Sequence, residues 1–383
     1  MKELGYKIFA VLCRIFSIFP VNPKQVFLVM THDAGPEGNV AVMRDYMVQL
    51  GKGYRFRELK REDTHFGKSI GKMWRFFVVD AYYLARSRYV FLDNMFLPMA
   101  FLRFRKEVSV VQMWHGTGVI KKIGADVNQG RLAELERRAN QNNTHLIVSS
   151  ETTKAIYGKS FSMKDEQVYI TGMPRADVFF DKQYQTRALE QFYKEYPQLK
   201  DKRLVLYAPT FRDVQVEHPQ LHLDVEKLAA QLPEDCVLGV RLHPFVARSY
   251  ERQRKEGAFQ QVVDFSLYPS LNTLLFATSL LISDYSSIVF EYAALGRPML
   301  FYAYDLEEFE QESRGFYWDY ESYVPGPVVH REEDLKEVVA DLLELPSDIY
   351  EEQYALEEFL RRTYQYQDCH ASERLAKLLE IVP

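Results

Sequence analysis

Cysteine is scarce in this chain. Cys13, Cys236 and Cys369 lie far apart in sequence. They offer neither metal-ligand spacing nor an even-numbered disulfide framework, and they fit a reducing, cytosolic setting. A strong excess of one charge is lacking too. Lys and Arg number 48 against 53 Asp and Glu, a net charge of -5, which gives no global case for nucleic acid, so any basic partner site must be local. No long uninterrupted apolar run is present. Residues 1–20, MKELGYKIFAVLCRIFSIFP, are broken by Lys7 and Arg14, which makes them poor as a spanning helix. No small-residue cleavage site follows, against a secretory signal. The phosphate-binding Walker spacing and the dinucleotide glycine fingerprint are both missing. So is any Asp-x-Asp pair, the device by which many nucleotide-sugar transferases hold a divalent metal. No metal or other cofactor is expected.

What is present is a chain of 383 residues, 47% apolar, enough for about two domains. Short apolar runs alternate with longer helical patterns. The first series of candidate strands is Val26–Met30, Arg88–Leu92, Ser109–Gln112, Leu146–Ser149 and Val168–Thr171. The second is Leu204–Tyr207, Val237–Arg241, Val262–Val263, Leu280–Ser283 and Met299–Tyr302. Continuous apolar runs suit strands covered on both faces, and the alternation indicates an α/β protein with parallel sheets. We expect a membrane-associating segment at 1–20, a first Rossmann-like domain at 21–182 and a second at 183–346. Residues 347–383 should form helices packing back on the first domain. The polar, helical stretch Phe180–Lys202 is the candidate linker, and ligands should sit at the carboxyl ends of strands, in a cleft between the domains.

The first third is basic and aromatic. Residues 1–20 suit an amphipathic helix lying in a membrane interface, with Phe9, Ile15, Phe16 and Phe19 as its apolar contacts. The alternative is a terminal helix packed on the core. The stretch Tyr54–Lys106 carries Arg55, Arg57, Lys60, Arg61, Lys68, Lys72, Arg75, Arg86, Arg88, Arg103, Arg105 and Lys106 among many aromatics. It reads as a surface for anionic lipid or as solvated helix faces over an ordinary core; single-stranded nucleic acid, which stacks on aromatics beside cations, ranks third because the acidic remainder of the chain does not support it.

Four segments at predicted strand ends carry chemistry. In Gln112-Met113-Trp114-His115-Gly116-Thr117-Gly118, glycines let backbone amides approach a phosphate, and His115 can act as a base near neutral pH. In Gly172-Met173-Pro174-Arg175-Ala176-Asp177, Arg175 suits a fork-like phosphate contact or a salt bridge to Asp177. Tyr207-Ala208-Pro209-Thr210-Phe211-Arg212 ends a strand with a hydroxyl and a cation. Arg241-Leu242-His243-Pro244 and Ser283-Asp284-Tyr285-Ser286-Ser287 form the fourth group. There Asp284 or Ser286 can cap a helix whose free amides favour a diphosphate, with Glu291 one to two turns in.

As an ordered set, these segments and the later Tyr323-Val324-Pro325-Gly326-Pro327 resemble the CDP-glycerol glycerophosphotransferase family, from about Val110 to the C-terminus. The resemblance implies a GT-B-like fold of two Rossmann-type domains and a metal-independent transfer of glycerol phosphate from CDP-glycerol with release of CMP. It implies His115 as base and His243 as a second essential histidine. Trp114, Gly116, Thr117, Gly118, Arg175, Pro209, Thr210, Arg241, Ser286, Ser287 and Glu291 would lie near the nucleotide and its diphosphate. The acceptor it implies is a lipid-linked disaccharide, undecaprenyl-diphosphate-linked N-acetylmannosaminyl-N-acetylglucosamine, at the cytoplasmic face of a bacterial membrane, with other teichoic acid enzymes as further partners. The short region before Trp114 resembles the priming members of the family. A polymerase, a second-step enzyme, or a GT-B nucleotide-sugar transferase or epimerase is the alternative. Three features depart from the family pattern: Gly118 where a proline is usual, Glu291 where Asp is common, and the turn Asp368-Cys369-His370-Ala371-Ser372.

Overall fold

The computed structural model describes residues 2–210, 212, 221–242, 246–247, 262–312 and 314–383. The chain divides into two compact units. The first comprises Met1–Thr117, Lys122–Asp177 and Arg362–Pro383, and the second Gly118–Lys121 and Val178–Arg361.

The first unit holds a six-stranded sheet, in which β1 is Asn22–Met30, β2 Arg55–Lys60, β3 Ser87–Leu92, β4 Ser109–Gln112, β5 His145–Val148 and β6 Val168–Ile170. Their order is β2-β1-β3-β4-β5-β6, and every pairing is parallel. Val26, Phe27, Leu28 and Val29 are fully buried, as a strand covered on both faces requires. The second unit repeats the plan. Here β7 is Arg203–Tyr207, β8 Cys236–Val240, β9 Val262–Asp264, β10 Thr278–Ser283, β11 Met299–Tyr302 and β12 Val328–Val329. The order β12-β11-β10-β7-β8-β9 is again wholly parallel. In each sheet the winding reverses once, between β1 and β3 and between β7 and β10. The loops leaving those neighbours diverge to opposite faces and leave a crevice at their carboxyl ends.

Ten strands fall on expected runs. β2 and β12 do not. β2 is an edge strand whose polar residues, Arg-Phe-Arg-Glu-Leu-Lys, hide its period, and only Leu59 of it is buried. The expected linker is helical as read, over Lys182–Glu195 with Asp181 as its cap, but it belongs to the second unit. Its Phe192 is fully buried in the second core. The expected 347–383 segment does not pack as one piece. Residues up to Arg361 belong to the second unit, where the Tyr350 hydroxyl accepts from Met299 N–H and donates to the Pro325 carbonyl. Only residues from Arg362 onward join the first unit.

The N-terminal helix Lys2–Phe16 has two apolar faces. Phe9, Ala10 and Cys13 are buried in the first unit's core, and Phe9 stacks on Phe76 with ring centroids 4.6 Å apart. Phe9 is therefore a core residue and no membrane contact. Leu4, Ile8, Val11 and Ile15 repeat on the outer face and stay 46–63% exposed. Several expected lipid-facing cations are also committed internally. Arg57 pairs with the buried Asp80, Arg75 with Asp63, and Arg86 donates to the Tyr82 hydroxyl and the Pro20 carbonyl. Among the described residues no helix is long and apolar enough to cross a membrane.

Candidate functional site

The crevice of the first sheet is built around one carboxylate. Asp93 follows β3 directly and is 1% exposed. It accepts the backbone N–H groups of Thr31, His32 and Asp33, at 2.9, 3.1 and 2.8 Å. The loop leaving β1 is thereby tied to the end of β3. Burial pushes the Asp93 carboxyl up to about 6, against the pull of those three amides.

His115 stands beside this loop. Trp114 before it has φ 53°, the left-handed region that an indole-bearing residue rarely adopts. Two contacts hold it there: its N–H donates to Gln112 Oε1 at 3.0 Å, and its carbonyl accepts from Asn39 Nδ2 at 3.1 Å. The resulting turn lays the His115 ring flat on His32, centroids 3.5 Å apart and planes 7° from parallel. His115 Nδ1 lies 2.9 Å from the Asp93 carbonyl oxygen. A carbonyl only accepts, so Nδ1 carries the proton of the neutral ring. Burial lowers the His32 pKa, with Arg175 adding to the effect and Asp33 opposing it.

Arg175 reaches the same place. Its Nη1 donates to the His115 carbonyl at 2.9 Å and lies 3.4 Å from Asp33 Oδ2, while its N–H donates to Asn39 Oδ1 at 3.0 Å. The alternative partner Asp177 is used elsewhere. Its carboxylate accepts Ala371 N–H, Ser372 N–H and the Ser372 hydroxyl, and so caps the final helix, Ala371–Leu378. That gives the departing turn at Asp368 a structural role. Gly116 and Thr117 are buried. Their carbonyls accept from the hydroxyls of Tyr157 at 3.4 Å and Ser149 at 2.7 Å.

Gly118 belongs to the second unit, and its φ is not in the left-handed region. A Cβ there would lie 2.3 Å from the Phe290 ring. Proline also carries a Cβ, so Phe290 accounts for glycine at this position.

The second sheet's crevice uses the same device. Asp284, at the end of β10, accepts the N–H of Thr210 at 2.8 Å, tying the loop after β7 to its neighbour. Asp284 therefore does not cap the following helix Ile288–Ala293. Ser287 stands at that cap position without a side-chain bond, and the Ser286 hydroxyl accepts Ile288 N–H at 3.4 Å. Arg212 is 7% exposed. Its guanidinium grips Asp305 with two bonds, at 2.7 and 2.9 Å, and donates to the Thr210 carbonyl at 2.6 Å. It faces Asp284 Oδ2 at 3.0 Å as an ion pair without hydrogen-bond alignment. Burial works against its charge, but the two carboxylates outweigh it and raise its pKa. The cation expected at this strand end is thus an internal pin. The Thr210 hydroxyl oxygen, beside Pro209, is buried with no partner among the described residues. Arg241 Nη1 donates to the carbonyls of Phe265 and Tyr268, and Glu291 is 5% exposed. His243 lies outside the described residues.

Trp114, His115 and Arg175 are therefore brought together in one unit, and Pro209, Thr210 and Ser286 lie on loops at the carboxyl end of β7 and β10 in the other. His32, Asp33, Asn39, Asp93 and Asp305 were not foreseen. The glycine-rich run Gly35-Pro36-Glu37-Gly38 after β1 and the carboxylate closing the apolar β3 were the available signals. Among the described residues no cluster of His, Cys, Asp and Glu could hold a metal ion.

Two Rossmann-type units, each with a phosphate-compatible crevice at its switch point, define a GT-B-like transferase fold. The wall teichoic acid polymerase TagF shares it, with TM-score 0.79 at 21% identity over 98% of this chain and 93% of that one. Residues 11–381 match the family described as CDP-Glycerol:Poly(glycerophosphate) glycerophosphotransferase, and the chain belongs to that family. It is 34% identical to the teichoic acid ribitol-phosphate polymerase TarK of Staphylococcus aureus, over 85% of this chain and 64% of that protein. It is 31% identical to a teichoic acid glycerol-phosphate primase of Bacillus subtilis, over 78% of this chain and 75% of the relative. The chain spans 59%, 64% and 52% of three ribitol-phosphate polymerases that it matches.

Proposed function

We propose that the protein transfers glycerol phosphate from CDP-glycerol to a lipid-linked teichoic acid precursor and releases CMP. The observation that carries this reading is the His115 ring at the end of β4, its Nδ1–H held by the Asp93 carbonyl, which selects the tautomer in which Nε2 serves as the base. An acceptor hydroxyl attacks the phosphorus bearing glycerol, its proton passes to Nε2, and the bond to CMP breaks. Arg175, beside His115 in the first unit, is the group we assign to the phosphoryl oxygens. Within this reading the acceptor is the undecaprenyl-diphosphate-linked disaccharide and the product carries one unit. The enzyme works as a peripheral protein at the cytoplasmic face of the membrane, where the exposed stripe Leu4, Ile8, Val11, Ile15 meets lipid.

Primase and polymerase relatives stand at similar identity, and ribitol appears among their substrates, so a ribitol-phosphate polymer is the second reading. Incubating the chain with CDP-glycerol or CDP-ribitol and a soluble lipid-linked disaccharide analogue, followed by mass analysis, separates them. We expect CMP and a single glycerol-phosphate adduct. A product ladder would make the protein a polymerase, and preference for CDP-ribitol would change the donor. His115→Ala should lower turnover about 10²–10⁴-fold, and near-normal turnover would remove His115 from the mechanism.

A further inference from the structure

At the amino ends of β1, β3 and β4 the first unit contains a cavity of about 720 Å³. Its lining residues come just before those strands. Ser17 leads into β1, Leu84 and Ala85 into β3, and Val108 into β4. His115 and Asp93 lie past the opposite ends, one length of β3 away, roughly 20 Å at the usual rise per residue. The cavity is therefore separate from the crevice that holds His115.

Its chemistry is two-sided. Leu84, Phe104 and Val108 provide an apolar wall, while Lys7, Arg14, Arg103 and Arg105 line it with cations. No carboxylate lines it. Lys7 is paired with Glu3, but Arg14, Arg103 and Arg105 make no ion pair within 4.0 Å among the described residues. Cations gathered over an apolar wall are stabilised by an anion that brings its own hydrocarbon. Val11 belongs both to this cavity and to the exposed stripe of Leu4, Ile8 and Ile15, so a ligand seated here continues onto that stripe.

We propose that this cavity is a binding site for one anionic glycerophospholipid, its phosphate among Arg14, Arg103 and Arg105 and its acyl chains along the outer face of the N-terminal helix. The acceptor's own diphosphate does not fit this place, because a disaccharide is shorter than the strand separating the cavity from His115. The site anchors the enzyme to the bilayer without occupying its substrate positions. The inference rests on the membrane placement proposed above and is independent of the transfer chemistry.

The test uses the full chain and dihexanoyl-phosphatidylglycerol below its micelle concentration, so that no charged surface is present. Titration calorimetry should show saturable binding of one lipid per chain, with dihexanoyl-phosphatidylcholine at least tenfold weaker and inorganic phosphate weaker still. Ala85→Trp fills the cavity and removes no charge, and it should weaken binding tenfold or more. Arg103→Gln/Arg105→Gln should do the same, while Lys194→Gln/Lys200→Gln, which removes as much charge from exposed positions of the second unit, should not. Thermal midpoints confirm that each variant folds. Affinity unchanged in Ala85→Trp, or phosphate binding as tightly as the lipid, would overturn the proposal. CMP release from CDP-glycerol is measured on the same preparations. Lipid binding in a chain that releases no CMP would sink the transferase reading and sustain this one.

Discussion

Gly118→Ala tests whether the glycine is there to make room for Phe290. The added Cβ would stand 2.3, 2.4 and 2.7 Å from three atoms of that ring, where relaxed carbon contacts lie near 3.5–4.0 Å. More than 1 Å of separation must be found. The ring has nowhere to retreat. Phe290 is 1% and Phe359 3% exposed, and the two rings lie 6° from parallel at 5.3 Å. Overpacking of this kind costs about 1–3 kcal/mol, or roughly 2–4 °C of thermal midpoint per kcal/mol for a domain of this size. Circular dichroism melts and urea titrations read the loss. Phe290→Leu should remove part of the clash, so the double variant should be at least about 1 kcal/mol more stable than the sum of the single effects. A Gly118→Ala chain as stable as the parent, or strictly additive effects, would refute the argument.

The other predictions follow from the same geometry. Arg212→Gln strands Asp284 and Asp305 as buried carboxylates and should cost about 3–5 kcal/mol in urea denaturation; a loss under about 1 kcal/mol would show the cluster to be loosely held. The Asp93 carboxyl should titrate near 6 by carbon NMR. Its folded pKa is raised, so the native state binds the proton more tightly than the unfolded chain, and this group's contribution to stability grows as pH falls from about 6 towards 4 and is lost as pH rises again. Titration below pH 4.5 would contradict that assignment. Transfer should persist in excess EDTA, since no Asp-x-Asp pair is present to hold a metal; loss restored by magnesium or manganese would overturn the expectation.

The strands were legible where hydrophobicity was continuous. Val26–Met30 and Met299–Tyr302 are buried on both faces, so composition alone marks them. β2 escaped notice because an edge strand needs only one apolar residue, and its arginines looked like a lipid-facing run. The N-terminal helix was legible as amphipathic, yet sequence could not say which of its two apolar faces the core takes. Phe9 went inward because Phe76 and Phe96 meet it there. In the first crevice, local glycine and strand-end signals pointed to His115 and Arg175, which the fold brings into contact. Arg212 was misjudged because its partner Asp305 is distant in sequence. His32 was missed for the same reason, since only the folded loop lays it on His115.

The two units solve one problem twice. A ligand at a switch point needs loops that diverge, but diverging loops share no backbone hydrogen bonds and would wander. In the first unit Asp93 closes β3 and accepts three amides of the loop leaving β1. In the second, Asp284 closes β10 and accepts Thr210 N–H of the loop leaving β7. Each carboxylate is about 1% exposed, and burial raises the pKa of each. Neutral side chains would be easier to bury. A carboxylate supplies several acceptor lone pairs on one compact group, which neighbouring backbone amides can share. The second unit sets Arg212 against its carboxylate, whereas the first has only the amides. Burial outweighs those amides at Asp93 and raises its pKa to about 6, so protonation favours the folded loop over its open form. Protection of the Thr31, His32 and Asp33 amides in hydrogen exchange, corrected for the intrinsic effect of pH, should therefore grow as pH falls from 7 to 5. Protection that weakens over that range would mean that the ionised carboxylate is what holds the loop.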